Sequence, residues 1–121
     1  MRFPTDMSAA VFRYTLKQRF LGRKRFPSVL MLEPLYTCNL ACLGCAVERH
    51  TGKLADRLSV EKCLQAVDDC GTPIVSICGG EPLLYPEIGQ LVKALVERGR
   101  HVILCTNGNR KVFITNVLSN T

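Results

Sequence analysis

No stretch of this 121-residue chain approaches the ~18 uninterrupted apolar residues of a spanning helix. The N-terminus also lacks the apolar core of a signal peptide, because Arg13, Lys17 and Arg19 interrupt it. Together these absences predict a cytoplasmic protein, with contact at the inner face of a membrane still open. There is no internal repeat, no low-complexity segment and no nucleic-acid motif beyond basic charge, so nucleic acid is not an expected partner. Charged residues make up 21% and hydrophobic ones 47%, a balance that excludes disorder and suits a globular domain.

Charge is concentrated at one end. Residues 1–26 hold seven basic groups (Arg2, Arg13, Lys17, Arg19, Arg23, Lys24, Arg25) against Asp6, which equals the whole net charge of +6. The remaining 95 residues are balanced, nine basic against nine acidic. Residues 8–21 read as a helix in which Phe12, Leu16 and Phe20 recur every four residues beside Arg13 and Lys17, ending at Gly22. Two roles follow: a helix covering one end of the domain with its polar face solvated, or a basic amphipathic helix lying on an anionic membrane.

The chain has seven cysteines, an odd number without a sign of secretion, which argues against a disulfide scaffold. Cys63 and Cys70 lie seven apart on an expected helix, too distant to bridge, and read as small buried hydrophobes. Cys38, Cys42 and Cys45 differ from these. They form a tight C-x3-C-x2-C trio just after an apolar run. Thiolates ligate iron–sulfur clusters, and three of them can hold three corners of a four-iron cube, leaving one iron open to a substrate or cofactor. The alternative is zinc, which prefers four ligands and paired C-x2-C elements; the nearest fourth candidate is His50.

The rest of the chain alternates. Residues 28–34 read as a strand apolar on both sides, as in a buried parallel sheet, stopped at Pro34. Val60, Cys63, Leu64 and Val67 mark a helix with Ser59 as N-cap and Gly71 past its end. Residues 74–78 form a second strand, followed at once by Gly79-Gly80-Glu81-Pro82. Ile88, Leu91, Val92, Leu95 and Val96 mark a helix entered at Pro86 and closed by Gly99. Residues 101–105 form a third strand, followed by Thr106-Asn107-Gly108. Ile114, Val117 and Leu118 could form one helical turn. The order is α, then β-α-β-α-β, with residues 114–118 a candidate for one further α, and it implies parallel strands with right-handed crossovers. All three polar motifs fall at strand C-terminal ends, where such folds collect their chemistry.

The cysteine trio after strand one, Gly-Gly-Glu-Pro after strand two and Thr-Asn after strand three resemble the radical S-adenosylmethionine (SAM) enzymes. The resemblance implies an α/β fold, the N-terminal half of a partial (β/α)6 TIM-like barrel, with residues 1–26 as a basic helix and 27–121 as a partial core. At roughly 30 residues per strand–helix unit the chain provides about three units, so the expectation is a truncated piece of a longer fold. It further implies that Cys38, Cys42 and Cys45 hold a [4Fe–4S] cluster whose fourth iron takes the methionyl end of SAM. A reductant such as flavodoxin or ferredoxin would supply the electron. Gly79, Gly80, Glu81 and Pro82 would receive the methionyl ammonium, with Glu81 either touching it or anchoring the turn. Thr106 and Asn107 would line the SAM pocket or simply end the strand. One departure is Gly44, where many members place an aromatic residue near the adenine.

A narrower resemblance, over segments 22–35, 38–45, 75–84 and 104–107, is to the adenosylhopane synthases of hopanoid biosynthesis. It implies a transferase adding the deoxyadenosyl radical to an apolar triterpene, a hopene, at a peripheral membrane contact. Residues 46–57 and Cys78 depart from that subfamily. Cys105, at the end of strand three, would then be a catalytic hydrogen-atom donor, or a small buried strand residue. Two alternatives remain open: a radical SAM protein of another substrate class, such as a peptide, and a non-catalytic iron–sulfur or zinc module.

Overall fold

The computed structural model describes residues 4–45 and 52–109; His50 and the expected helical turn near residues 114–118 lie outside them. Six principal elements follow in order: α1 (Thr5–Phe20), β1 (Val29–Leu32), α2 (Val60–Cys70), β2 (Ile74–Ile77), α3 (Ile88–Glu97) and β3 (His101–Leu104), with a short 3-10 turn at Pro82–Leu84. The strands form one parallel sheet in the order β1-β2-β3. Sequence order and spatial order coincide, so α2 and α3 are the crossovers between neighbouring strands. This is the expected α/β architecture of a partial TIM-like barrel.

Local signals act where the sequence puts them. The Ser59 hydroxyl accepts from the Lys62 amide at 3.3 Å and opens α2, while Gly71 closes it at φ 65°. That left-handed conformation suits glycine. Burying Val60, Cys63 and Val67 sets α2 against the sheet, and Ile88, Leu91, Val92 and Leu95 do the same for α3.

Register sorts the strand side chains into two faces. Leu30, Val75 and Val102 lie side by side, as do Leu32, Ile77 and Leu104. These six join the core formed with α2, α3, Leu35 and Tyr85. The alternate positions, Met31, Ser76 and Ile103, face away from α2 and α3. The expected two-sided burial of β1 does not occur: Val29 and Met31 are exposed among the described residues. An apolar run alone does not reveal whether both faces have a neighbour.

α1 corrects a second expectation. Its buried residues are Met7 and Gln18, with Val11 and Tyr14 half-buried between them, and not the Phe12–Leu16–Phe20 row, which is turned outward. Met7, Val11, Phe12 and Thr15 border an apolar groove of about 430 Å³ against Ile74. Ile74 shares its strand face with Ser76, so α1 lies at the N-terminal end of the open face. Cys63 is fully buried as expected, but Cys70 at the end of α2 is only half-buried, and all seven cysteines are free. No described helix is long and apolar enough to cross a membrane.

Candidate active site

Three segments leave the C-terminal ends of the three strands together. After β1 the chain runs through Pro34 and Leu35 into the cysteine loop; after β2 comes Gly79–Pro82; after β3 comes Thr106–Asn107. The ladder continues past the strand ends, since the Cys78 amide donates to the Leu32 carbonyl and the Cys105 amide to the Ile77 carbonyl, both at 2.9 Å. Glu33, Cys78 and Cys105 therefore share one layer of the open face.

The two glycines are required by this chain's own backbone. At Gly79, φ is 110° and a Cβ would meet the Leu35 carbonyl oxygen; at Gly80 it would overlap the Thr37 carbonyl. Their closeness lets the Gly80 amide donate to Leu35 O at 3.1 Å and the Glu81 amide to Thr37 O at 2.9 Å. The segment after β2 is thereby stitched to the base of the cysteine loop. Among the described residues no donor reaches the Gly79 or Gly80 carbonyl, which leaves both as acceptors for a cation.

Glu81 is the centre of the arrangement, although its side chain is only 1% exposed. Its Oε1 accepts from the Leu83 amide at 2.9 Å and the Thr106 hydroxyl at 2.6 Å; its Oε2 accepts from the Asn107 amide at 2.9 Å. A buried carboxylate is costly unless its lone pairs are used. Here three donors from two segments use them. Of the two roles foreseen for Glu81, the geometry supports the anchor. Thr106 and Asn107 also form the turn expected of them, with the Gly108 amide donating to the Thr106 hydroxyl at 3.0 Å and the Asn109 amide to Asn107 Oδ1 at 2.9 Å. Asn107 Nδ2 reaches further, donating to Asn39 Oδ1 at 2.9 Å inside the cysteine loop. Amide contacts therefore join the first and third segments directly. Sequence reasoning passed over Asn39, and no periodicity marks it; its position beside Cys38 was the available signal.

In the loop, Cys38 and Cys45 are half-buried and Cys42 is exposed. The Cys45 amide donates to the Cys42 carbonyl at 3.2 Å, closing a four-residue turn with Gly44 at φ 86°. An L-residue at position 44 would be strained in this turn. That accounts physically for glycine where an aromatic residue was expected. Leu43, at the tip, is fully exposed. Among the described residues no three His, Cys, Asp or Glu side chains converge as ligands of a single ion would. Three thiolates are the donor set of a four-iron cube held at three of its irons, while the fourth ligand a zinc site would take, His50, lies outside the described residues.

The loop's return is fixed from behind. The Thr37 hydroxyl donates to the Gly52 carbonyl at 2.9 Å, and the Leu58 amide donates to Pro34 O at 2.8 Å. Arg57 grips Glu87 at the entrance to α3 with two hydrogen bonds, 3.1 and 2.8 Å. That pairing holds the Glu87 carboxyl below its ordinary range and raises Arg57. The Tyr85 hydroxyl donates to Leu58 O at 2.8 Å, and burial pushes its pKa up to about 12. On the open face, Cys105 is exposed, correcting the view of it as a buried strand residue; its Sγ lies 3.5 Å from the Ser76 hydroxyl. Cys78 Sγ stands 3.8 Å from Glu33 Oε1.

One end of the parallel sheet thus carries the loop with the three thiols, a glycine turn with two open carbonyls and an anchored carboxylate. The sequence profile of the radical SAM superfamily matches residues 32–114, and the chain belongs to that superfamily. Its members use a [4Fe–4S] cluster and SAM and generally need an electron donor such as flavodoxin or ferredoxin. The chain is 31% identical over 75 residues to the AdoMet-dependent heme synthase of Oleidesulfovibrio alaskensis, covering 60% of this chain and 19% of that protein. It is 34% identical over 121 residues to GTP 3',8-cyclase 1 of Mycobacterium tuberculosis, covering 89% of this chain and 33% of the cyclase. The fold resembles Streptococcus suis SuiB, solved bound to the precursor peptide SuiA, with a TM-score of 0.67 at 24% identity over 91% of this chain and 26% of SuiB. The chain thus spans a fifth to a third of the lengths of these proteins.

Proposed function

We propose that this chain forms the cluster- and SAM-binding part of a radical SAM enzyme, with Cys38, Cys42 and Cys45 as cluster ligands. Bound there, the cluster and SAM would supply one-electron reductive cleavage of the sulfonium to methionine and a 5′-deoxyadenosyl radical. The Gly79 and Gly80 carbonyls accept hydrogen bonds from the methionyl ammonium, Pro82 begins the turn that shapes this rim, and Thr106 and Asn107 border the pocket. Glu81 holds the rim in shape without touching SAM. The observation carrying this reading is the hydrogen-bonded closure of all three motif segments through Glu81 and the Asn107–Asn39 pair. Anaerobic reconstitution with iron and sulfide tests it. Four iron per chain, lost in each of Cys38→Ser, Cys42→Ser and Cys45→Ser, is expected, together with 5′-deoxyadenosine on adding SAM and a reductant. Full iron loading in any of the three variants would overturn the ligand assignment.

For the substrate we propose a hopene-type lipid, met at a membrane and joined to the deoxyadenosyl radical in a transferase reaction. The segment resemblances support it, as does the apolar surface that Met31 and Ile103 offer on the open face. The named relatives belong to heme synthesis and GTP cyclisation. Addition to an alkene leaves a tertiary carbon radical. Cys105 then gives up its S–H hydrogen atom, a C–H bond forms, and the thiyl sulfur regains its thiol with one electron and one proton from the flavodoxin-type reductant. In D2O the thiol exchanges, so the product should gain one deuterium at that carbon, and Cys105→Ala should lose that label. A saturated, deuterated product formed by Cys105→Ala at the normal rate would remove Cys105 from the reaction.

A further inference from the structure

The outward row of α1 is largely uncovered, with Phe12 alone reaching the rim of the groove against Ile74. Phe12, Leu16 and Phe20 are 64%, 42% and 89% exposed. Spaced four apart, they fall within about 80° of the helix circumference, opposite the buried Met7 and Gln18. Leu21, 60% exposed, stands beside the end of the row. Arg19 borders it on one flank, Arg13 and Lys17 on the other, and Arg23, Lys24 and Arg25 follow; all six are exposed.

The basic turn is tied to the helix. Arg23 Nη1 donates to Gln18 Oε1 at 3.1 Å, the Tyr14 hydroxyl donates to Pro27 O at 2.8 Å, and the Tyr14 and Phe26 rings meet edge to face at 5.7 Å. These contacts fold the turn back along the Tyr14–Gln18 side of the helix, away from the row, so the cations beside the row are Arg13, Lys17 and Arg19. Asp6 is the sole carboxylate in residues 4–27, and no described carboxylate pairs with the six cations.

An apolar row flanked by solvated cations fits an anionic lipid surface, where apolar side chains enter at headgroup level and each cation meets a negative potential. A second copy of the chain in a two-fold contact would instead bring the same cations face to face. We propose that α1 docks on an anionic phospholipid bilayer, with Phe12, Leu16 and Phe20 inserted and Arg13, Lys17 and Arg19 meeting the headgroups beside them. The proposal stands on the geometry and charge of α1 and needs neither the cluster nor the hopene assignment, so its test is separate from theirs.

The chain contains no tryptophan, so Phe20→Trp provides a single emitter at the proposed insertion point. Vesicles with about 30% phosphatidylserine should sediment the chain and shift this emission to the blue, and phosphatidylcholine alone should bind about tenfold less or weaker. Raising salt to about 0.5 M should also reduce binding. The triple change Phe12→Ser, Leu16→Ser, Phe20→Ser removes no buried side chain, so circular dichroism should persist while binding falls about tenfold. Equal binding by the triple variant, or no blue shift with anionic vesicles, would overturn insertion. A wild-type dimer by light scattering that this variant converts to a monomer would overturn it in favour of a second copy.

Discussion

The two faces of the sheet are built from neighbouring residues of the same strands, yet they have opposite characters. On one side Leu30, Leu32, Val75, Ile77, Val102 and Leu104 pack into α2 and α3. On the other, Met31, Ser76, Ile103 and Cys105 stand open, with a carboxylate and a second thiol, Glu33 and Cys78, in the upper layer. Stability is concentrated on the first face and reactive groups on the second. The period-two alternation of a strand allows one short segment to do both.

Thiol labelling gives the largest contrast. Cys63, buried on the helix side and with its pKa raised by burial, should react with iodoacetamide at least about a hundredfold more slowly than exposed Cys105 in the native chain. Mass spectrometry of timed quenches reads this directly, and equal rates would show that the helix layer opens freely. Truncation separates the faces energetically. Leu91→Ala should cost about 2–5 kcal/mol through cavity formation, whereas Met31→Ala, 68% exposed, should stay within about 0.5 kcal/mol. Urea unfolding of both variants checks the pair.

Tyr85 ties the covered side to high pH. Its hydroxyl titrates near 12 in the folded chain against an ordinary value of 10.0. The raised value means its contribution is complete below pH 10 and is lost as pH rises towards 12. A rise of that size corresponds to on the order of 1–3 kcal/mol. Melting between pH 9 and 12 should show the loss, and Tyr85→Phe should flatten that part of the profile. Glu81→Gln tests the rim where the faces meet. The amide keeps the shape but has only one accepting oxygen for three donors, at a cost of about 1–3 kcal/mol. A raised KM for SAM with cluster content unchanged is the expected kinetic mark of a positioning residue. The smallest effect belongs to Glu87. Its lowered pKa means a contribution present above the carboxylate range and lost as pH falls through it, and Glu87→Gln should remove that acid dependence from the melting curve.

Much of this was legible in the sequence because it is local or periodic. Ser59 and Gly71 bracket α2 as their chemistry dictates, and the three polar motifs lie directly after the three strands. The outward turn of Phe12, Leu16 and Phe20 was not legible, because periodicity identifies a row without saying what it faces. The anchoring role of Glu81 depends on Thr106 and Asn107, 25 and 26 residues away, and no local pattern encodes that closure. Cys70 shares a helix with Cys63, but its place at the end of α2 leaves it half-covered.

The tight approach at Gly79 and Gly80 also bears on how the gene can vary. Any missense change at a glycine codon adds at least a Cβ, or more, and at both positions that atom would run into a neighbouring carbonyl. In a saturation library these two positions should be as intolerant as the cluster thiols, though for a different reason. A cysteine variant should still accumulate as folded protein, whereas a glycine variant should be depleted already at the level of expression.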